Sequence, residues 1–263
     1  LIFILDWSGS MADCIEDTIK QLYNLIWFCS KVNIPFDVYA FTHSYYKGEH
    51  RPSRRETRNE MELNKLAIDG DFSLMNLLTS KVNKKTLEQQ MKMIYRVVYY
   101  FRHYVGYTIP AQISLSGTPL NETLVCLHQI IPQFKKENDL QKVHTIILTD
   151  GEAHPLNYFG YYTDYFSGKE DITQKQISAN GYLRNRKTGY TYEIGYAYWS
   201  FTDCLLKDLK QTFPEVNLIG IRVTASRDFT HFIKRYGFLS EQDLKKARKE
   251  KSYTIKDSGY DAY

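Results

Sequence analysis

Hydroxyl and carboxylate side chains alternate in a short segment near the start of the chain. Residues 1–5 form an apolar run, and Asp6, Ser8 and Ser10 follow it, with Gly9 between the two serines. Glycine allows the backbone to fold tightly around the three oxygen-bearing side chains. Carboxylate and hydroxyl oxygens are hard ligands, which suit Mg²⁺, Mn²⁺ or Ca²⁺ and suit zinc poorly. The segment therefore predicts a site for a divalent cation.

Two other segments are expected to bring oxygen ligands to the same place. Residues 143–148 form a second apolar run with Asp150 just beyond it, and Thr118 ends the short segment 113–118. In an open α/β sheet, ligands bind outside the carboxyl ends of the strands, so these side chains should meet in one crevice. The predicted metal ligands are Asp6, Ser8, Ser10, Thr118 and Asp150.

Hydroxyl ligands have a functional consequence. They are neutral, weak donors, so a cation held by them and by water keeps much of its charge. It also keeps a coordination position that a carboxylate of a partner protein can fill, which gives a physical route to regulated protein binding. There is a structural alternative, in which Ser8 and Ser10 are only turn residues and Thr118 only caps a helix.

Hydrophobic patterning predicts the elements that position these residues. Continuous apolar runs predict buried strands, and apolar stripes at a spacing of three and four residues predict helices. Their alternation along the chain predicts a Rossmann-like, doubly wound α/β fold with a mostly parallel sheet flanked by helices. The predicted strands cover 1–5, 36–42, 143–148 and 216–224, and the predicted helices cover 15–29, 86–105, 119–134, 201–212, 226–236 and 240–251.

The chain is interpreted as one domain, 1–263, with two insertions. The first, 43–110, is expected to be helical or irregular, with 43–83 irregular and charged. The second, 153–200, is rich in aromatic residues and carries a hairpin whose turn is 186–189. A charged helix and a tail follow at 238–263, and the last dozen residues either add an edge strand or lie on the surface.

Two helix starts are predicted from their sequences. Thr86 and Gln89 have the spacing of a capping box. Pro119 suits the first position of a helix, with Thr118 as its cap.

Charge and composition limit the classes of function. A net charge of +4 and a pI of about 8.6 are too mild to indicate a nucleic-acid-binding protein. One basic cluster alternates with two glutamates, so a solvated charged face is the favoured interpretation. Its members are Arg51, Arg54, Arg55 and Arg58.

Cysteine usage and hydropathy bear on the compartment. The four cysteines, Cys14, Cys29, Cys126 and Cys204, form no CxxC pair and are predicted to be buried free thiols in a reducing compartment. No run of about 18 apolar residues is present, so no membrane span is expected. The chain begins inside a predicted strand without Met, so we expect the natural chain to extend upstream.

Three motifs resemble the metal-ion-dependent adhesion site of von Willebrand factor A (VWA) domains in order, spacing and context. They are Asp6-Trp7-Ser8-Gly9-Ser10-Met11, Ser116-Gly117-Thr118-Pro119-Leu120 and Thr149-Asp150-Gly151-Glu152. The resemblance implies the VWA fold and a bound Mg²⁺, with Mn²⁺ or Ca²⁺ as alternatives. It implies that Ser8, Ser10 and Thr118 contact the metal through hydroxyls, whereas Asp6 and Asp150 act largely through water. Thr118 is then the candidate for a ligand that changes with the binding state.

The run Gly117-Thr118-Pro119-Leu120-Asn121-Glu122 resembles intracellular VWA proteins, in particular the cobaltochelatase VWA subunit and its relatives in large tailed phages. The resemblance implies a cytoplasmic adaptor, in the host cytoplasm if phage-encoded. Its metal site would engage an acidic residue on a MoxR-type AAA+ ATPase ring or on a client. The chain has no phosphate-binding loop, so the ATPase must be another chain. No nucleophile stands in a supporting context, so we predict no catalysis by this chain.

Three other functions stay open at this point. One is an adhesion-type domain that binds an extracellular ligand, the second is a metal-dependent hydrolase, and the third is a nucleic-acid-binding VWA protein. Glu152 and His154 stand close to Asp150, and surface or supporting roles are favoured for them over direct metal binding or catalysis. The aromatic insertion is equally a partner-binding surface or a hairpin packed on the core.

Overall fold

A computed structural model describes residues 1–43, 61–68, 70–103, 105–151, 153, 155–197, 199–223, 229–230, 240–255 and 260–261. The predicted basic cluster at 51–58, Glu152 and His154 lie outside the described residues. So does most of the predicted helix 226–236, although residues 229–230 are helical. The strands are β1 (Ile2–Asp6), β2 (Asp37–His43), β3 (Leu66–Ala67), β4 (Phe72–Thr79), β5 (Val143–Thr149), β6 (Asn157–Thr163), β7 (Glu170–Gln176), β8 (Tyr182–Arg184), β9 (Thr191–Glu193) and β10 (Val216–Arg222). The helices are α1 (Ile15–Lys31), α2 (Lys84–His103), α3 (Leu120–Glu137), α4 (Ser200–Thr212) and α5 (Glu241–Glu250).

The central sheet is largely parallel and has the strand order β10-β5-β1-β2-β4. Strand β1 pairs in parallel with β2 and β5, and β5 pairs in parallel with β10. The four strands predicted from apolar runs are therefore confirmed. The fold is mixed α/β with a mainly parallel sheet and flanking helices, as expected of a Rossmann-like architecture.

The edge strand β4 corrects one expectation. Residues 43–83 were predicted to be irregular, but Phe72–Thr79 forms β4, antiparallel to β2. This edge strand is only partly buried, and of its residues Leu78 alone is fully in the core. It therefore lacks the continuous apolar run by which the inner strands are recognised.

The two faces of the sheet carry separate hydrophobic layers. Phe3 and Leu5 pack with α1 and α2, whereas Ile2 and Ile4 pack with α3 and α4. All four side chains are fully buried, and each contributes about 1.5–3 kcal/mol relative to an exposed side chain. Helix α2 is thus part of the core, although the sequence placed it in an insertion at 43–110.

Both predicted helix starts are wrong. In α2 the backbone N–H of Thr86 donates to Asn83 Oδ1 at 2.9 Å, so Asn83 caps the helix rather than the Thr86–Gln89 pair. Asparagine is among the strongest N-cap residues, which explains the earlier start. Helix α3 begins at Leu120, with Pro119 as its N-cap residue and no side-chain cap, so Thr118 does not cap it.

The aromatic segment contributes to two small sheets: β6 and β7 pair with each other and with β3 of the first insertion, and β8 pairs with β9. The pair β8-β9 confirms the predicted hairpin, and Gly189 takes a φ of +80° in its turn, a conformation that favours glycine. Buried Asp208 of α4 holds this hairpin, because Asn185 Nδ2 donates to it at 2.9 Å and Tyr192 Oη donates at 3.3 Å. His128 of α3 lies 3.1 Å from the same carboxylate.

The remaining expectations concern the tail, the cysteines and the membrane. Residues 252–255 and 260–261 form no strand, but Asp261 exchanges two hydrogen bonds with Leu218 at the edge of the sheet. All four cysteines are free, with Cys29 and Cys204 buried and the other two partly exposed. Within the described ranges, no helix combines the length and the apolarity needed to cross a membrane.

Candidate metal centre

Asp6 stands at the carboxyl end of the central strand β1 and is fully buried. The backbone N–H of Ser8 donates to its Oδ1 at 3.0 Å, and the hydroxyl of Thr149 donates to its Oδ2 at 2.6 Å. Both carboxylate oxygens therefore accept hydrogen bonds from neutral donors. Strands β1 and β5 are neighbours in the sheet, which brings Thr149 to Asp6 across 143 residues of chain.

A chain of hydrogen bonds joins the two serines to Asp150. The hydroxyl oxygens of Ser8 and Ser10 lie 3.0 Å apart, and the Ser10 hydroxyl donates to Asp150 Oδ1 at 2.8 Å. Ser8 is buried and Ser10 is exposed, so the site runs from the interior to the surface. The structure therefore brings together four of the five predicted ligands, Asp6, Ser8, Ser10 and Asp150, on the carboxyl ends of β1 and β5.

Thr118 reaches the site through a backbone bridge. The N–H of Gly9 donates to Ser116 O at 2.7 Å, and the N–H of Ser116 donates to Trp7 O at 3.2 Å. A methyl group placed on Gly151 would lie 3.6 Å from Thr118 Oγ1 and 3.9 Å from Asp6 Oδ2. The Thr118 hydroxyl therefore faces the same small space as the Asp6 carboxylate, with Gly151 keeping that space open.

The electrostatics of the site favour a cation. Burial raises the pKa of Asp6 to about 6, and the negative charge of Asp150 adds to the effect, while the hydrogen bonds from Thr149 and Ser8 oppose it. Burial, together with the charges of Asp150 and Asp6, also raises the pKa of the nearby Cys14 thiol to about 11. No ion pair joins either carboxylate to a Lys, Arg or His side chain in the described part of the chain.

The donor set therefore fits a divalent cation with a preference for oxygen. Neither Asp6 nor Asp150 has a cationic partner among the residues that the structure describes, and the hydroxyls of Ser8, Ser10 and Thr118 lie around them. The ranges that the structure covers hold no group of three or more His, Cys, Asp or Glu side chains arranged for a metal. Hydroxyl and carboxylate oxygens suit Mg²⁺ or a similar ion better than zinc.

Two residues next to this site, Thr149 and His43, were given no role in it by the sequence analysis, although Thr149 stands in the third motif. Thr149 orients Asp6, and it lies one position before the predicted ligand Asp150, in a strand whose alternate side chains share a face. His43 is the last residue of β2, so it lies at the carboxyl end of the strands, and it packs against Gly117, the neighbour of Thr118. No pattern in the sequence connects His43 with Gly117, because the contact depends on the order of the strands.

Comparisons with known proteins do not identify a family. No protein-family profile matches the chain, and no curated protein sequence matches it. One similar solved structure is the pilus adhesin SpaC from Lactobacillus rhamnosus GG in an open conformation, with 15% sequence identity and a TM-score of 0.38. The similarity covers 94% of this chain and 26% of the adhesin, so the chain spans about a quarter of that protein's length. The VWA resemblance is not confirmed by these comparisons.

Proposed function

We propose that this chain is a divalent-metal-dependent protein-binding module of the VWA type. Mg²⁺ would be held by Asp6, Ser8, Ser10, Thr118 and Asp150, with Mn²⁺ or Ca²⁺ as substitutes. The observation that supports this most is the hydrogen-bonded chain from Ser8 through Ser10 to Asp150, beside a buried Asp6 without a cationic partner. A turn or a helix cap alone requires none of these long-range contacts.

The residues of the site have different tasks in this proposal. Asp6 and Ser8 are buried and fixed by backbone contacts, so they form a rigid inner wall. Ser10 is exposed and Asp150 is partly exposed, so a partner would approach from their side. When bound, the cation supplies a positive centre to which a carboxylate of a partner protein binds. Trp7 supports the inner wall, because its indole N–H donates to Ile113 O at 2.8 Å and so ties down the segment that leads to Thr118.

The partner that we propose is a MoxR-type AAA+ ATPase or one of its clients, in the cytoplasm. Its support is the resemblance of residues 117–122 to cobaltochelatase-like VWA proteins. The four free cysteines are in keeping with a reducing compartment. We propose an adaptor rather than an enzyme, because the hydroxyls of Ser8 and Ser10 pair with each other and with Asp150 and not with a described histidine.

Direct cation binding provides the first test. Isothermal titration of the metal-free protein with Mg²⁺ should give one site in the wild type, and Thr118→Ala should weaken it by about tenfold or more. Thr163→Ala is the matched control, since Thr163 is an exposed threonine at the end of β6. Equal affinity in all three proteins would leave Thr118 outside the site and would contradict the proposal.

Partner capture provides the second test. The immobilised chain should retain an AAA+ ATPase or its client from host lysate in Mg²⁺ but not in EDTA, and Thr118→Ala should lose that partner. The same partners retained in EDTA and by Thr118→Ala would show that the metal site is not the interface.

A further inference from the structure

A small cavity lies at the opposite end of the sheet from the candidate metal centre. One of its lining residues is Asp37, which begins β2 and pairs with Ile2 at the start of β1. The cavity has a volume of about 230 Å³ and lies between β2, β4 and α3. Its polar lining consists mainly of oxygen-bearing side chains, Asp37, Tyr39, Asn76, Thr79 and Glu137, together with Lys81.

Asp37 is a buried carboxylate whose hydrogen bonding is incomplete. The residue is only 4% exposed, and its Oδ1 is buried without a hydrogen-bond partner. Among the described side chains, it is the only carboxylate oxygen in that condition. Its Oδ2 accepts from the Tyr39 hydroxyl at a long 3.4 Å. A buried carboxylate oxygen without a donor is unfavourable, so Oδ1 of Asp37 would gain from a hydrogen-bond donor or a cation in contact with it.

Lys81 supplies part of the missing charge from the other side. Its ammonium forms an ion pair with Glu137, and both side chains are substantially exposed. The ion pair with Glu137, and to a smaller extent the charge of Asp37, raise the pKa of Lys81. No ion pair joins Lys81 to Asp37, however, so the ammonium compensates Glu137 rather than the buried carboxylate. An exposed lysine can swing into solvent and leave both carboxylates to another cation.

We propose that this cavity is a second cation site, which takes Ca²⁺ together with some of its water shell. Asp37 and Glu137 would supply the two charged ligands, and Tyr39, Asn76 and Thr79 would supply neutral oxygens. Ca²⁺ suits the cavity because it accepts six to eight oxygens in irregular geometry, whereas Mg²⁺ demands a near-ideal octahedron. The volume is much larger than a bare ion and holds several waters. With two carboxylates and a competing lysine, the expected Kd is about 10⁻⁴–10⁻³ M.

The test uses the 263-residue chain with the substitution Asp150→Asn, so that cation binding at the other end of the sheet is impaired. Terbium is a luminescent substitute for Ca²⁺, and Tyr39 lies where it can sensitise terbium emission. Terbium should give a saturable signal that excess Ca²⁺ displaces. Asp37→Asn, which keeps the shape of the side chain, should abolish that signal. Lys81→Gln removes a like charge from the cavity and should tighten Ca²⁺ binding by about tenfold.

Asp37→Asn should weaken Ca²⁺ binding and Lys81→Gln should strengthen it, so a general loss of folding cannot produce both results. Thermal unfolding in 10 mM Ca²⁺ gives an independent readout that should follow the same order, since a ligand that binds the native state raises Tm. A signal that is the same with Asp37 and with Asn at this position would overturn the proposal. So would the absence of any terbium or Ca²⁺ response in both the Asp150→Asn protein and its Lys81→Gln variant, which would show that the cavity holds only water.

Discussion

The contact between His43 and Gly117 predicts a strong coupling between two residues that are 74 positions apart in the numbering. A methyl group on Gly117 would lie 2.3 Å from His43 Nδ1, 3.0 Å from Cε1 and 3.2 Å from Cγ. Ordinary contacts between such atoms are about 3.5–4.0 Å, so the imidazole or the loop must move by about 1 Å. The backbone φ of Gly117 is not positive, so alanine is strained there only by this contact.

We therefore expect Gly117→Ala to lower the free energy of unfolding by about 1–3 kcal/mol, the usual effect of overpacking. For a chain of this size, each kcal/mol corresponds to a fall in Tm of about 2–4 °C. The backbone of His43 is held in place, because the residue ends β2 and is paired with Phe72 of β4. His43→Ala removes the obstructing ring, so the double variant should recover most of the loss that Gly117→Ala causes.

The assay is a double-mutant cycle measured by urea unfolding of the wild type, both single variants and the double variant. The coupling energy should be about 1–3 kcal/mol and favourable in the double variant. Mg²⁺ titrations of the same four proteins should show a matching pattern, because Gly117 precedes Thr118. Additive effects, with a coupling below about 0.5 kcal/mol, would refute the inferred contact and the role of His43 in shaping this loop.

Three further predictions concern carboxylates, of which Asp6 and Asp208 are buried and Asp203 is partly buried. Asp6→Asn removes a charge that has no cationic partner among the described residues, so in EDTA above pH 6 it should raise the free energy of unfolding by about 1–3 kcal/mol. Added Mg²⁺ should no longer raise the Tm of this variant. A destabilised variant whose Tm still rises with Mg²⁺ would contradict the prediction. Asp208→Ala leaves Asn185, Tyr192 and His128 without their shared acceptor and should cost about 2–4 kcal/mol in urea unfolding, and a loss below 1 kcal/mol would argue against the hairpin anchor. Burial raises the pKa of Asp203 to about 6, although Lys207 opposes the shift. The contribution of Asp203 to the free energy of unfolding is therefore present at acidic pH and is lost as pH rises through 6. Asp203→Asn should be more stable than the wild type at pH 8 and equal to it at pH 4. A stability difference that does not change with pH would contradict the raised pKa.

The inner strands of the sheet could be predicted because a strand that is buried on both faces is a nearly continuous run of apolar residues. Strands such as β1 and β5 are covered by helices on each side, so nearly every residue in them is apolar or fully buried. The edge strand β4 has one neighbour and remains half exposed, so its pattern resembles that of a loop. The first residues of the helices were harder to predict than the strands. Asn83 and Pro119 lie only one to three positions from the predicted N-caps, and several residues in these segments are able to cap a helix.

In the candidate site, the proposed ligands could be predicted from the sequence, whereas the residues that support them could not. The ligand positions at Asp6, Ser8 and Ser10 were visible because they share one short segment, and Asp150 was visible because it ends a strand run. The supporting residues were not visible. Thr149 is important only because β5 lies beside β1, and His43 only because the loop before α3 crosses the end of β2. Such contacts are set by strand order, which local patterning does not encode.

The division of the core into two layers has a consequence for the order in which the chain folds during synthesis. Every fully buried residue of the layer that contains α1 and α2 lies between Phe3 and Val98, so this half can assemble while the rest of the protein is still being made. The layer on the other face draws on residues as distant as Ile2 and Leu218 and must wait for β5 and β10. Thr149 and Asp150 are made only with β5, so under the proposed function a nascent chain would not hold the cation until β5 has paired with β1. Metal binding would then follow the addition of β5 to the sheet, and nascent chains that end before β5 would not compete for the ion.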